Sequence, residues 1–312
     1  MRCRHKDVLT RSKRQAYNSG RKTDPFRKVL SDRLPLFALR IIFKENIMYK
    51  IGFIGAGNMG GALAIAASET LGGENVLIYD NDAAKCAALS EKYGFSLAEN
   101  ANELAAESGF IVLAVKPNII RGVAASIKEE LSAENKCVVT IAAGVAVSAI
   151  REAVEDACPV MRIMPNTPVA VGKGTILINK GSAGEEKAGQ FLDIMAAAGS
   201  FEEMPESLFD ITTAVNGCAP AYTYIFIESM ADGAVQMGLP RDTAIRLAAQ
   251  TVLGSAAMVL ETGEHPDKLK DNVCSPGGST IAGVAALEEN GFRHAAAQAV
   301  VTAAQKNSSL GK

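Results

Sequence analysis

The sequence predicts an α/β chain: a doubly wound, mostly parallel sheet followed by an all-helical domain. Three observations carry that expectation. From Lys50 to about Glu203, short apolar runs alternate with helical patterns. After Pro205 the strand signals stop. The first apolar run feeds directly into Gly55-Ala56-Gly57-Asn58-Met59-Gly60 and a small, apolar helical pattern through Leu71. Alternation of this kind argues for parallel strands joined by crossover helices. A chain of 312 residues with 48 % apolar content can bury two cores, so two domains are expected. Their boundaries are placed at residues 48–204 for the sheet and 205–312 for the helices, with residues 1–47 outside both.

Strands are expected at 50–54, 76–79, 110–115, 137–141, 159–163, 175–179 and 200–203. The first is followed by a G-x-G-x-x-G turn and a helix. Gly55 permits the tight turn, Gly57 lets a pyrophosphate approach the backbone, and Gly60 lets the helix pack on the sheet. The second strand ends at Asp80, twenty residues after Gly60, where an acidic group meets a ribose hydroxyl. Strand, turn, helix and acid together predict a Rossmann-type dinucleotide site that uses Gly55, Ala56, Gly57, Asn58, Met59 and Asp80. Ala114-Val115-Lys116-Pro117 and Ala142-Ala143-Gly144 follow later strands at their C-terminal ends, where ligands of open parallel sheets sit. Both turns should border the cofactor. Lys116 could pair with a phosphate or serve as an acid, but the favoured reading is that only its backbone lines the site.

Helices are expected at about 206–214, 217–238, 240–262, 266–273, 279–289 and 291–310, with Pro240 in the first turn of its helix. Along that helix Ile245, Ala248, Val252, Ala256 and Val259 recur at three- and four-residue spacing and define one apolar face. About a hundred residues of such helices have limited core of their own and gain by packing against a second copy. Between the last helices lies Ser275-Pro276-Gly277-Gly278-Ser279-Thr280. The glycines bend the backbone and free its N–H groups, the hydroxyls flank the bend, and a helix follows (Ile281, Val284, Leu287). Such a turn suits a small anion such as a carboxylate.

Residues 1–47 carry thirteen Lys/Arg against four Asp/Glu, a surplus of nine positive charges. The whole chain is at −2, so the remainder carries −11 and has no basic surplus for nucleic acid. The segment reads as a non-native or disordered extension produced by a mis-assigned start, with Met48 as the initiator; an Arg-rich targeting segment is the rival reading. Cys3, Cys86, Cys137, Cys158, Cys218 and Cys274 are scattered, without metal-ligand spacing to a histidine. They read as packing residues in a reducing compartment, so no metal site is expected and a cytoplasmic location is. Cys274 lies beside the proposed anion loop and is also read as a packing residue. No uninterrupted apolar run reaches the ~20 residues that span a bilayer, so no membrane partner is expected. None of the three histidines looks catalytic; His265 reads as a cap for the helix that starts at Pro266.

These blocks, with Met164-Pro165-Asn166-Thr167-Pro168, Pro220-Ala221-Tyr222 and the Leu269–Thr280 stretch, resemble pyrroline-5-carboxylate reductase over essentially all of Met48–Lys312. The stretch Pro266–Glu288 matches the family signature. One departure is Asn216-Gly217-Cys218-Ala219, where the family usually has Ser-Gly-Ser-Gly; it puts the local packing before the long helix in doubt. The resemblance implies NADPH- or NADH-dependent reduction of the cyclic imine 1-pyrroline-5-carboxylate to proline. It implies a homodimer interlocked through the helical domain and assembled into a ring, the loop of one subunit completing a site beside the cofactor of the other. It implies that the substrate carboxylate lies on the N–H groups of Gly277, Gly278 and Ser279, helped by the Ser275 hydroxyl. It also implies that Thr280 aims its hydroxyl at the ring nitrogen, the one catalytic assignment, and that Asn272 contacts the cofactor. Asp80 argues for good use of NADH with some use of NADPH, the latter if Asn81 and Lys85 hold the 2′-phosphate instead.

Overall fold

The computed structural model describes residues 49–132 and 135–310. The described residues belong to one compact unit; the reading of residues 1–47 as an extension lies outside the described residues. Eight strands form one sheet: β1 (Tyr49–Ile54), β2 (Val76–Tyr79), β3 (Ser96–Leu97), β4 (Ser108–Leu113), β5 (Cys137–Thr140), β6 (Val160–Met164), β7 (Gly174–Asn179) and β8 (Gly199–Glu203). Their order is β3-β2-β1-β4-β5-β6-β7-β8. Every pairing is parallel except β6 with β7. Crossovers use α1 (Asn58–Leu71), α2 (Ala83–Tyr93), α3 (Ala101–Glu107), α4 (Pro117–Ser126), α5 (Val147–Ala153) and α6 (Gly184–Ile194).

Strands buried on both faces must be apolar throughout, and Ile51–Ile54 and Ser108–Leu113 are buried along their length. One apolar layer packs α1 against Ile51, Phe53, Ile78 and Val112; the opposite layer packs α4 and α5 against Ile54, Leu77, Ile111, Leu113 and Val138. Chain order therefore reverses between β1 and β4, so the turns that follow these two strands face one crevice.

The helical region follows: α7 (Phe209–Asn216), α8 (Ala219–Gln236), α9 (Arg241–Thr262), α10 (Pro266–Val273), α11 (Ser279–Glu289) and α12 (Phe292–Leu310). Pro240 is the N-cap of α9 and not inside its first turn, because its extended ψ of 137° stops the helix one residue short. The predicted face of α9 holds in part: Ala248 is buried and Val252 and Val259 are half-buried. Ala256 is exposed and Ile245 is 43 % exposed, and Ala244 is buried in place of Ile245. Leu253, Met258 and Leu260 are exposed too, as are Tyr224 and Ile225 of α8. By length and composition α9 is long and apolar enough to cross a membrane. Its apolar residues form no uninterrupted run in the sequence, because Arg246 and Gln250 break it. A groove of ≈ 830 Å³ between α8 and the last helices is lined by Tyr222, Phe226, Met230, Val252, Leu287 and Phe292.

Candidate active site

The crevice is built from three turns. After β1, Gly55 adopts φ +104° and donates its N–H to the Tyr79 carbonyl at 2.7 Å. A Cβ on Gly55 would lie 2.5 Å from the Ala114 carbonyl oxygen, and one on Gly60 would lie 2.0 Å from the Gly55 oxygen and 2.8 Å from Ala114 Cβ. Both glycines are therefore required by the close approach of the two turns. Gly57 differs: a Cβ there would meet nothing within 4 Å. Its missing side chain leaves open space at the N-terminus of α1, which has no side-chain cap and no acidic residue in its first turn. An α-helix presents unpaired N–H groups and a partial positive charge there, so a pyrophosphate fits this cradle. Asn58 is exposed and Met59 half-buried at the same end.

Asp80 closes the crevice on the β2 side. Its Oδ2 accepts the Ala56 N–H at 2.8 Å and its Oδ1 accepts the Asp82 N–H at 2.9 Å. The carboxylate thus organises the Gly-rich turn as well as standing where a ribose is expected. Asp82 caps α2 by accepting the Lys85 N–H, and the Asn81 side-chain oxygen accepts from the Tyr79 hydroxyl. On the other side, Ala114 donates its N–H to Ile54, and Lys116, exposed, is the N-cap that precedes Pro117. Val115 is half-buried beside Gly55. Ala142, buried, donates its N–H to Thr140 Oγ1 at 3.3 Å; Ala143 is exposed, and Gly144 turns the chain with φ +71°. The structure thus brings the expected cofactor residues, apart from Asn272, to the C-terminal ends of β1, β2, β4 and β5.

The loop between α10 and α11 stands apart in the helical region. Ser275, Gly277, Ser279 and Thr280 are exposed, and Asn272 is exposed on the last turn of α10. Gly277 turns with φ +68°. Gly278, the N-cap of α11, donates its N–H to the Ser275 carbonyl at 3.0 Å. That amide is consumed in closing the turn, which the sequence did not show. With no side-chain cap and no acidic residue at the start of α11, its first-turn N–H groups remain for an anion. His265 Nδ1 accepts the Asp267 N–H at 3.2 Å, so His265 caps α10. Arg293 of α12 then holds both flanking helices, bonding Asp267 at 3.0 Å and Glu288 at 2.6 Å. The hydrogen bond from Arg293 holds the Asp267 carboxyl below its ordinary value. Among the described residues no hydrogen bond joins this loop to the cofactor turns, and no cluster of three or more His, Cys, Asp or Glu could hold a metal.

Two pairs of residues escaped the sequence reading. Asn166 and Asn216 interlock: Asn166 donates to the Asn216 carbonyl at 2.9 Å, and Asn216 Nδ2 donates to Met164 and Thr175 carbonyls at 2.9 and 3.0 Å. The unusual Asn216-Gly217-Cys218-Ala219 run therefore begins with a side chain that pins α7 to the Met164–Asn166 turn. Arg162 on β6 is 5 % exposed and pairs with Glu206 at 2.9 Å. The only sequence signal was a lone Arg inside an apolar strand, since a buried charge needs a partner.

A mostly parallel sheet with a crevice at its reversal point that fits a dinucleotide, followed by a helical region, is the architecture of a nicotinamide-dependent oxidoreductase. Residues 50–144 match the family described as NADP oxidoreductase, coenzyme F420-dependent, and residues 206–310 match pyrroline-5-carboxylate reductase dimerisation. The chain is 42 % identical over 267 residues to the pyrroline-5-carboxylate reductase of Escherichia coli K12, covering 84 % of this chain and 98 % of that protein. It is 38 % identical over 266 residues to the Arabidopsis thaliana protein of that name, covering 84 % and 95 %. The crystal structure of Plasmodium falciparum pyrroline carboxylate reductase with NADP bound superposes with a TM-score of 0.75 at 34 % identity, covering 85 % of this chain and all of that one. The chain belongs to the pyrroline-5-carboxylate reductase family.

Proposed function

We propose that the protein reduces 1-pyrroline-5-carboxylate to L-proline with NADH or NADPH, the last step of proline biosynthesis. The observation that carries this reading is the pairing, in one chain, of an open cradle at Gly57 with a hydroxyl-flanked turn at Ser275–Thr280. The bound dihydronicotinamide supplies the hydride, so the chain's own task is placement. The first-turn amides of α11, with the Gly277 N–H and the Ser275 hydroxyl, hold the substrate carboxylate. Thr280 directs its hydroxyl at the ring nitrogen and supports the amine that forms. Asn272 meets the cofactor from the last turn of α10, just before that loop. No side chain need deliver a proton, because the ring nitrogen is basic enough to take one from water.

In this reading residues 48–204 and 205–312 act as cofactor and substrate domains of a homodimer, and dimers assemble into a ring. The exposed apolar side chains of α8 and α9 support the dimer, because surfaces of that kind are covered in stable assemblies. With its loop exposed and apart from the cofactor turns, a second copy is what completes the site. The cytoplasm, where reduced cofactor is at hand, is the proposed location. The test is nicotinamide oxidation with 1-pyrroline-5-carboxylate against ring-size and open-chain analogues, with the product identified. Proline formed with a preference for the five-membered imine supports the reading. Turnover of a six-membered imine or keto acid in its place overturns it, and cofactor binding without turnover would make the chain a sensor.

A further inference from the structure

We propose that Glu206 is a positioning residue for the cofactor: it clamps the Ala142–Ala146 turn to the helical region. Helix α5 starts at Val147, directly after that turn, and Ala146 gives it no side-chain cap. The Val147 N–H donates instead to Glu206 Oε1 at 2.8 Å, a carboxylate 59 residues further along the chain. The same oxygen accepts Arg162 Nη1 at 2.9 Å. Arg162 is almost fully buried and lies over the Phe209 ring, 4.6 Å from its centroid. A buried guanidinium does not release its partner readily, since an unpaired charge there is costly. One carboxylate oxygen thus ties β6, the start of α5 and the turn that leads into α7. Glu206 is also the first residue of the stretch that matches the dimerisation family.

The consequence is directional. Ala142, Ala143 and Gly144 border the cofactor crevice, and the downstream end of their turn is fixed by a residue of the other half of the chain. Loss of Glu206 frees that end, so cofactor affinity falls while the anion loop at Ser275–Thr280 is untouched. The inference rests on the proposed cofactor role of this turn.

The test is NADPH titration of the assembled protein, followed by nicotinamide fluorescence, together with steady-state kinetics. Glu206→Ala should weaken NADPH binding by about tenfold, the loss expected for one charge-assisted hydrogen bond. The KM for the imine at saturating NADPH should stay within about twofold. Glu206→Gln keeps an oxygen for the Val147 N–H and should recover most of the affinity. Val147→Pro removes the donor at a position where helices accept proline; Ala146, with ψ 152°, already has the conformation that precedes one. It should weaken NADPH binding like Glu206→Ala, and the two together no further. Wild-type affinity in both single variants overturns the clamp. So does an equal loss in NADPH affinity and imine KM, or a Gln variant as impaired as Ala. Wild-type protein that binds neither NADPH nor NADH would overturn the cofactor reading itself.

Discussion

The Ala56 N–H donates to Asp80 Oδ2 at 2.8 Å, joining the Gly-rich turn after β1 to the end of β2. The acid expected to select the ribose is therefore also a strut of the phosphate turn. Asp80→Ser removes both functions. It should shift the ratio of kcat/KM towards NADPH, because the negative charge nearest the 2′ position is gone. Absolute efficiency with either cofactor should fall. Asp80→Asn keeps an acceptor for Ala56 and should shift the ratio with a smaller overall loss. Kinetics with both cofactors check this: a wild-type preference for NADPH that neither substitution moves would contradict the role given to Asp80.

Thr280→Ala should lower kcat/KM by roughly ten- to a hundredfold, since a hydrogen bond to a charged nitrogen is worth about 1.5–3 kcal/mol. NADPH affinity should hardly change, because Thr280 lies at the exposed start of α11 and the cofactor turns lie on the sheet. Turnover at the wild-type rate would remove the catalytic assignment.

Lys136 is 2 % exposed and closes the end of α3, donating to the carbonyls of Ala105 at 2.5 Å, Ala106 at 2.8 Å and Ser108 at 3.1 Å. Desolvation by burial lowers its pKa. Lys136→Met keeps the stem but leaves three carbonyls without their donor. Denaturant unfolding should show a loss of about 2–4 kcal/mol. The folded fraction should retain its kcat, as Lys136 sits at the far end of β5 from the crevice. A variant of unchanged stability would contradict the account of this cap.

Burial pushes the Cys137 thiol up to about 12 and the Cys158 thiol up to about 11, and raises Cys86 as well. At pH 8 the Cys158 thiolate is about one part in a thousand, and that of Cys137 is rarer still. Alkylation of the folded protein, read by mass spectrometry, should leave these three unmodified until denaturant is added. Rapid labelling of Cys137 in the native protein would show that the sheet opens at β5.

What was legible in the sequence followed from local chemistry. The Gly-rich turn, Asp80 and the strands β1, β2 and β4 to β8 carry period, glycine and charge signals within a few residues of one another. Strand β3 is two residues long, Ser96–Leu97, and so leaves no pattern to read. The burial of Ala244 in place of Ile245 on α9 depends on what packs against it, because both residues stand at three- or four-residue spacing from Ala248. The Gly278 amide was expected to be free, but it closes a turn on Ser275, a choice set by backbone angles. Arg162, Glu206 and Val147 meet across 44 and 59 residues, and Asn166 meets Asn216 across 50. Contacts at such separations arise from the path of the chain and leave no periodic trace.

The proposed shared site requires the Gly57 cradle of one copy and the Thr280 loop of another. Gly57→Asp and Thr280→Ala test it together. Space around Gly57 means the aspartate displaces phosphate without disturbing the protein. Each variant alone should form little proline from 1-pyrroline-5-carboxylate. After the two are unfolded and refolded as a mixture, about a quarter of the sites should combine an intact cradle with an intact loop, and proline formation should return to that level. Activity that never rises above the separate variants would contradict the shared site.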